Sequence, residues 1–165
     1  MKGYIGIDPG KFGAAAMLFE DGRYVLHDWQ CEKMAAKTLY RWKSEFNVCA
    51  SLEKIIAVRS RTYYPNMKLA NNFGFWRGLL VAYGIEFDVV PPQTWQKKVL
   101  IPGTGKTTKD RAFETAKELF PGARKHLTKI SKHNGRADAL LIAYNLKNER
   151  DFESKFKNRI RWSKI

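Results

Sequence analysis

The sequence predicts a single α/β domain, residues 1–150, with residues 151–165 as a basic tail. Short runs rich in Val, Ile, Leu and aromatic residues at 4–8, 12–19, 23–29, 48–56 and 85–90 have the length and composition of strands. The first three are separated only by turn sequences, Asp8-Pro9-Gly10 and Asp21-Gly22, and so form an antiparallel meander. Around the last two, apolar residues recur at three- and four-residue steps, the period of helices that cover a sheet.

Composition narrows the function. At 165 residues, with 44% hydrophobic and 13% aromatic content, the chain can bury a full core. Its 30 Lys and Arg against 16 Asp and Glu leave a formal charge of +14, more than solubility requires, and nucleic acid is the natural polyanionic partner. No apolar run could span a membrane and no basic amphipathic anchor is present, which argues against a membrane partner. The first strand begins at once, so neither a signal peptide nor a transit peptide is expected. Cys31 and Cys49 lack metal-ligand spacing and suit a reducing cytoplasm.

Taken in order, strand one ends in Asp8, a carboxylate held by a sheet and followed at once by Pro-Gly. It reads as part of a carboxylate-and-metal site, as a phosphate-binding hairpin, or as a plain turn residue. A helix at 34–46 follows, with Leu39, Trp42 and Phe46 on its apolar stripe. The fourth strand, 48–56, carries Glu53, a second acid in an apolar setting, which costs free energy unless it is paired or ligates a metal. Residues 57–66 read as a basic, aromatic loop in which Arg59 and Arg61 can bind phosphate and Tyr63 and Tyr64 can stack on bases. The helix at 67–83 places Leu69, Phe73, Trp76, Leu80 and Tyr83 on one stripe and stops at Gly84. Its Gly74 and Gly78, four apart, permit close approach of another helix.

Strand five is ended by Pro91-Pro92, and a short helix at 93–99 leads into the Gly-rich run 101–108. That run is not a phosphate-binding Walker loop: Leu100 stands where the first Gly is required, and Pro102 interrupts the approach. No nucleotide cofactor is expected, although such a loop can touch a DNA phosphate. Thr108 is expected to cap a helix reaching 119 or 120. Between Lys97 and Lys132 the only acids are Asp110, Glu114 and Glu118, so this half carries much of the excess charge. Lys97, Lys98, Lys106, Lys109, Lys132 and Arg136 are candidate DNA contacts. The last helix, at 134–144, begins at Asn134 as its cap and carries Asp138 one turn in. Asp8, Glu53 and Asp138 can converge at one end of the sheet if strands one and four are neighbours. Their oxygen donors suit Mg²⁺ or Mn²⁺ rather than zinc, and with the basic surface the reaction class is metal-dependent nucleic-acid hydrolysis.

The strand ending Gly6-Ile7-Asp8-Pro9-Gly10, the strand bearing Leu52-Glu53-Lys54 and the helix Arg136-Ala137-Asp138-Ala139-Leu140 together resemble a RuvC-type Holliday junction resolvase, in particular the variety found in bacteriophages. The resemblance runs in order over residues 3–148. It implies a ribonuclease H-like fold: a five-stranded mixed sheet, three antiparallel strands and then two parallel, flanked by helices. It further implies a homodimer in a bacterial or phage-infected cytoplasm that makes paired nicks in four-way junctions, with forks as related substrates. Asp8, Glu53 and Asp138 would bind two Mg²⁺ or Mn²⁺ ions per site, and Lys106 or Lys109 would approach the scissile phosphate.

One position departs from the family pattern. A fourth ligand, usually an acid, is expected three or four residues before Asp138, where this chain has Gly135 and Asn134. Asn134 is open to three readings: a weak neutral ligand, a disabling substitution, or simply a helix cap. The second of these gives the alternative function, a branched-DNA-binding protein of the same fold that cuts poorly or not at all.

Overall fold

The computed structural model describes the backbone of residues 1–55, 63–128 and 134–162, and the side chains of 1–55, 66–128 and 135–152. A five-stranded sheet in the order β3-β2-β1-β4-β5 organises the chain, from β1 (Lys2–Asp8), β2 (Ala14–Phe19), β3 (Tyr24–Asp28), β4 (Asn47–Glu53) and β5 (Glu86–Val90). β1 pairs antiparallel with β2, and β2 with β3. β4 runs parallel to β1 on its other side, and β5 parallel to β4. This is the mixed sheet expected from the sequence, and the two parallel pairings require the helical crossovers that the chain supplies.

Side-chain alternation along the strands divides the core into two layers. Ile5 and Ile7 of β1, with Ala50 and Leu52 of β4, face α1 (Glu32–Glu45) and α2 (Tyr63–Ala82) through Leu39, Trp42, Trp76 and Leu80. On the other face, Ala14, Ala16 and Leu18 of β2 pack with α5 (Asn134–Trp162), α4 (Thr108–Leu119) and Trp95 of α3 (Pro92–Val99). Full burial of each large apolar side chain contributes about 1.5–3 kcal/mol. Gly6 sets the depth of the second layer. A Cβ there would lie 2.1 Å from the Ala139 carbonyl oxygen, so α5 rests directly on the backbone of β1.

Several boundaries correct the sequence reading. β4 ends at Glu53, not at 56, because β1 turns away at Pro9 and β5 at Pro91, leaving no ladder to extend. α2 begins at Tyr63, so Tyr63 and Tyr64 belong to a helix rather than to a loop; Pro65 is tolerated because first-turn N–H groups have no intrahelical acceptor. α4 is capped by Thr107, not Thr108: the Thr107 hydroxyl accepts from the Asp110 N–H, and the Asp110 carboxylate accepts from the Thr107 N–H. Asn134 is the first residue of α5, which runs past 144 and through the 150/151 boundary without a break to Trp162. No described helix is long and apolar enough to cross a membrane.

Candidate active site

Asp8 and Glu53 are the last residues of adjacent parallel strands, one step beyond the Ile7–Leu52 pair, so they leave the sheet side by side. Alternation then puts both on the α5 face. Asp8 follows Tyr4 and Gly6, and Glu53 follows Cys49; Tyr4 and Cys49 pack with Leu146 of α5. Asp138 reaches the same end of the sheet from the first turns of α5. At that helix start the Gly135 N–H donates to the Phe12 carbonyl at 3.0 Å, in a turn that the Gly13 N–H closes on the Gly10 carbonyl at 3.0 Å. A Cβ at 135 would lie 2.6 Å from Gly13 Cα, and one at 13 only 2.0 Å from the Asp8 carbonyl oxygen. Only glycine fits at either position.

Each acid has its own donor. Asp8, 9% exposed, accepts from the Gly10 N–H at 2.8 Å. Glu53 Oε1 accepts from Trp95 Nε1–H at 2.9 Å. Asp138 Oδ2, its side chain 17% exposed, accepts from the Lys109 ammonium at 3.1 Å. Burial, and then the charge of Asp138, push the Asp8 carboxyl up to about 6. Burial, and then Asp8, push Glu53 up to about 8. Asp138 is also raised by burial, with Lys109 opposing. Burial works to lower Lys109, yet the charges of Asp138, Asp8 and Glu53 outweigh it and hold the amine above its ordinary value.

These acids feel one another's charge, and Lys109 stands among them as their cation. As they stand, no three His, Cys, Asp or Glu side chains among the described residues are drawn tightly enough together to hold a metal ion. The donor set nevertheless fits a hard divalent cation: three carboxylates disfavoured as anions by burial and repulsion, with no thiolate or imidazole beside them among the described residues.

The remaining candidates divide. Lys106 is exposed in the loop before α4, whereas Lys109, on the first turn of α4, is delivered into the acid cluster. Lys97 and Lys98 are exposed in the last turn of α3, and Lys98 pairs with Glu149 of α5. Arg136 corrects the sequence reading. Its guanidinium turns inward, donating through Nε and Nη2 to Asp28 and through Nη1 to the His126 carbonyl, with 17% of the side chain exposed. Ala14 pairs with both Asp8 and Asp28, so this bidentate bond fastens α5 to the sheet two strands from Asp8. Arg59, Arg61 and Lys132, and the side chains of Tyr63, Tyr64 and Asn134, lie outside the described residues. Sequence reasoning missed Trp95 as a partner of Glu53. The signal for it was the strand pairing: Val90 sits opposite Glu53, and α3 begins two residues later.

No family model matches the chain. Over 70 residues it is 37% identical to "Holliday junction resolvase MOC1, chloroplastic" of Chlamydomonas reinhardtii, a match covering 42% of this chain and 8% of that protein. Solved structures of RuvC superpose over nearly its whole length. A Thermus thermophilus RuvC in complex with a Holliday junction substrate matches at a TM-score of 0.59 and 14% identity, covering 88% of this chain and 92% of the other. A further Thermus thermophilus RuvC structure matches at 0.53 and 18%, covering 86% and 90%. The chain carries the RuvC-type, ribonuclease H-like fold.

Proposed function

We propose that this protein is a structure-selective, metal-dependent endonuclease that resolves four-way DNA junctions by paired nicks. The observation that carries the reading is the gathering of Asp8, Glu53 and Asp138 at one end of the sheet with Lys109 among them. The RuvC-type fold, the matched segment of a Holliday junction resolvase and the charge of +14 support the substrate. Asp8, Glu53 and Asp138 would hold Mg²⁺ or Mn²⁺, two ions per site, with Asn134 as a neutral fourth donor. When bound, such ions supply Lewis acidity and an activated water for in-line attack on a phosphodiester.

The chain's own groups do the rest. Gly10, Trp95 and the docked start of α5 orient the acids, and Lys109 neutralises charge developing on the phosphate oxygens. Lys97, Lys106 and the segment bearing Arg59, Arg61, Tyr63 and Tyr64 guide the backbone and the unstacked bases of the branch point. The protein acts as a homodimer in the cytoplasm of a bacterial or phage-infected cell. Support for pairing comes from α2, where Gly74 and Gly78 have no described atom within 4 Å of an added Cβ. Met67 and Val81 on the same helix are 38% and 65% exposed. Together these residues offer a flat face to a second copy.

The test is a labelled immobile four-way junction incubated with Mg²⁺ or Mn²⁺ and the native protein, Asp8→Asn or Asn134→Asp. Symmetric nicks from the native protein, with junction binding but no cleavage by Asp8→Asn, are expected. Nicks only from Asn134→Asp would establish a branched-DNA-binding protein that lacks one carboxylate, the second reading that Asn134 favours. Absence of any preference for the junction over linear duplex would overturn both.

A further inference from the structure

We propose that Trp95 is a positioning residue of the metal site, its indole N–H fixing Glu53 by one oxygen so that the other is presented to a divalent cation. The inference rests on the metal reading above and names a group that acts on it from outside the ligand set. Trp95 is completely buried, and its Nε1 lies 2.9 Å from Glu53 Oε1. The bond leaves Glu53 Oε2 without a hydrogen bond from any described side chain.

Chain geometry accounts for the placement. Val90 pairs with Glu53 across the β4–β5 ladder, Pro91-Pro92 ends the strand and opens α3, and the Thr94 N–H closes the first turn on the Pro91 carbonyl. Trp95 follows in that turn, at the end of the sheet where β4 stops. Its ring is buried in the second core layer, the cluster that also holds Val90, Ala112, Ala116 and Leu140. A side chain so enclosed cannot swing away and holds one geometry.

The chemistry distinguishes this donor from the others. Lys109 satisfies Asp138 with a positive charge, which competes with any cation for the same oxygen. The indole is neutral: it orients the carboxylate and leaves its charge available. Glu53 also has one more rotatable bond than the two aspartates, so it gains most from being tethered. Partners of this kind, bonded to a ligand and not to the ion, alter metal affinity by about 10–100-fold when removed.

Two variants separate the N–H from the ring. Trp95→Phe keeps an aromatic side chain and deletes the donor. Site-specific replacement of Trp95 by 3-benzothienylalanine keeps the indole outline and puts sulfur where the N–H stands, so the core stays filled if Trp95→Phe fails to fold. Mn²⁺ binding to the protein alone is measured by calorimetry, junction binding in EDTA by gel shift, and cleavage across a Mn²⁺ titration. The expected result is a rise of about tenfold in the Mn²⁺ Kd and in the half-saturating Mn²⁺ for cleavage. Junction affinity in EDTA should stay within about twofold of native, because Trp95 is completely buried and offers DNA no surface. In a Glu53→Ala background, which removes the acceptor of the indole N–H, Trp95→Phe should weaken Mn²⁺ binding no further, because the residue acts only through Glu53. Native Mn²⁺ dependence in the benzothienyl variant, or an equal loss in the Glu53→Ala background, overturns the proposal. If the native protein itself neither binds Mn²⁺ nor cuts, the metal reading falls and this one falls with it.

Discussion

Glu53 makes metal-free stability a direct probe of the site. In the folded protein its carboxyl keeps a proton up to about pH 8, against an ordinary value of 4.5, because burial and then the charge of Asp8 penalise the anion. Between those two values the unfolded chain binds fewer protons than the native one, so stability falls as pH rises. The slope is about 1.4 kcal/mol per pH unit, and the loss from this one group is on the order of 4 kcal/mol by pH 9. Asp8 contributes with the same sign over a lower window, from 3.8 to about 6. Lys109 is raised further above its ordinary 10.5, remains charged throughout, and adds no slope between pH 5 and 9. Glu53→Gln removes the titrating proton while its amide oxygen still accepts from Trp95. Urea unfolding in EDTA of parent and variant from pH 5 to 9 therefore yields a difference curve. The variant should gain several kcal/mol on the parent as pH rises. Addition of Mn²⁺ should restore the parent at high pH, since the ion binds the ionised carboxylates. A difference curve flat to within about 0.5 kcal/mol would refute the reasoning, because Glu53 would then ionise at its ordinary value.

Other expectations can be checked alongside it. Asp28→Ala leaves the largely buried Arg136 guanidinium without its bidentate partner and should cost about 2–3 kcal/mol in urea unfolding, with junction affinity unchanged where the protein remains folded. Gly135→Ala pushes a methyl against the Gly13 backbone; it should destabilise by about 1–3 kcal/mol and slow cleavage by about 100-fold, because Asp138 moves with the helix start. Gly122→Ala, with no described atom within 4 Å of its added Cβ, is the matched control. Lys109→Ala should lower kcat by about 100-fold, and Lys106→Ala by less than about tenfold, in single-turnover cleavage of the junction.

The sheet was legible because its strands are punctuated. Asp-Pro-Gly, Asp-Gly and Pro-Pro mark three strand ends in the sequence, and apolar periodicity identifies the helices between the later strands. The acids were legible as anomalies, carboxylates at the ends of apolar runs. What periodicity could not supply was direction. Lys106 and Lys109 look equivalent in a basic Gly-rich run, and only the helix begun by Thr107 and Asp110 turns the second of them toward Asp138. Arg136 read as one more cation in a basic chain. Its true setting depends on Asp28, 108 residues earlier, becoming its neighbour through a three-strand ladder. Trp95 likewise contacts Glu53 across 42 residues of sequence, through a pairing that neither local segment encodes.

The position ahead of Asp138 shows why backbone packing decides what the sequence leaves open. Two residues, Gly135 and Asn134, stand where a fourth acid would be sought. Their packing separates them. A side chain at 135 would have to pass through the Gly13 backbone, and the Gly135 N–H is already bonded to Phe12, so this residue is fixed by the need to dock α5 on the β1–β2 turn. Of these two positions only 134, the first residue of α5, can therefore supply a side-chain ligand to the proposed metal site. On that reading Asn134→Asp would add a negative charge to those of Asp8, Glu53 and Asp138, and the expected outcome is more repulsion in the metal-free protein together with more attraction for a divalent cation. Urea unfolding in EDTA and Mn²⁺ calorimetry on the variant would then move in opposite directions, and an unchanged Mn²⁺ Kd would leave Asn134 as a helix cap alone.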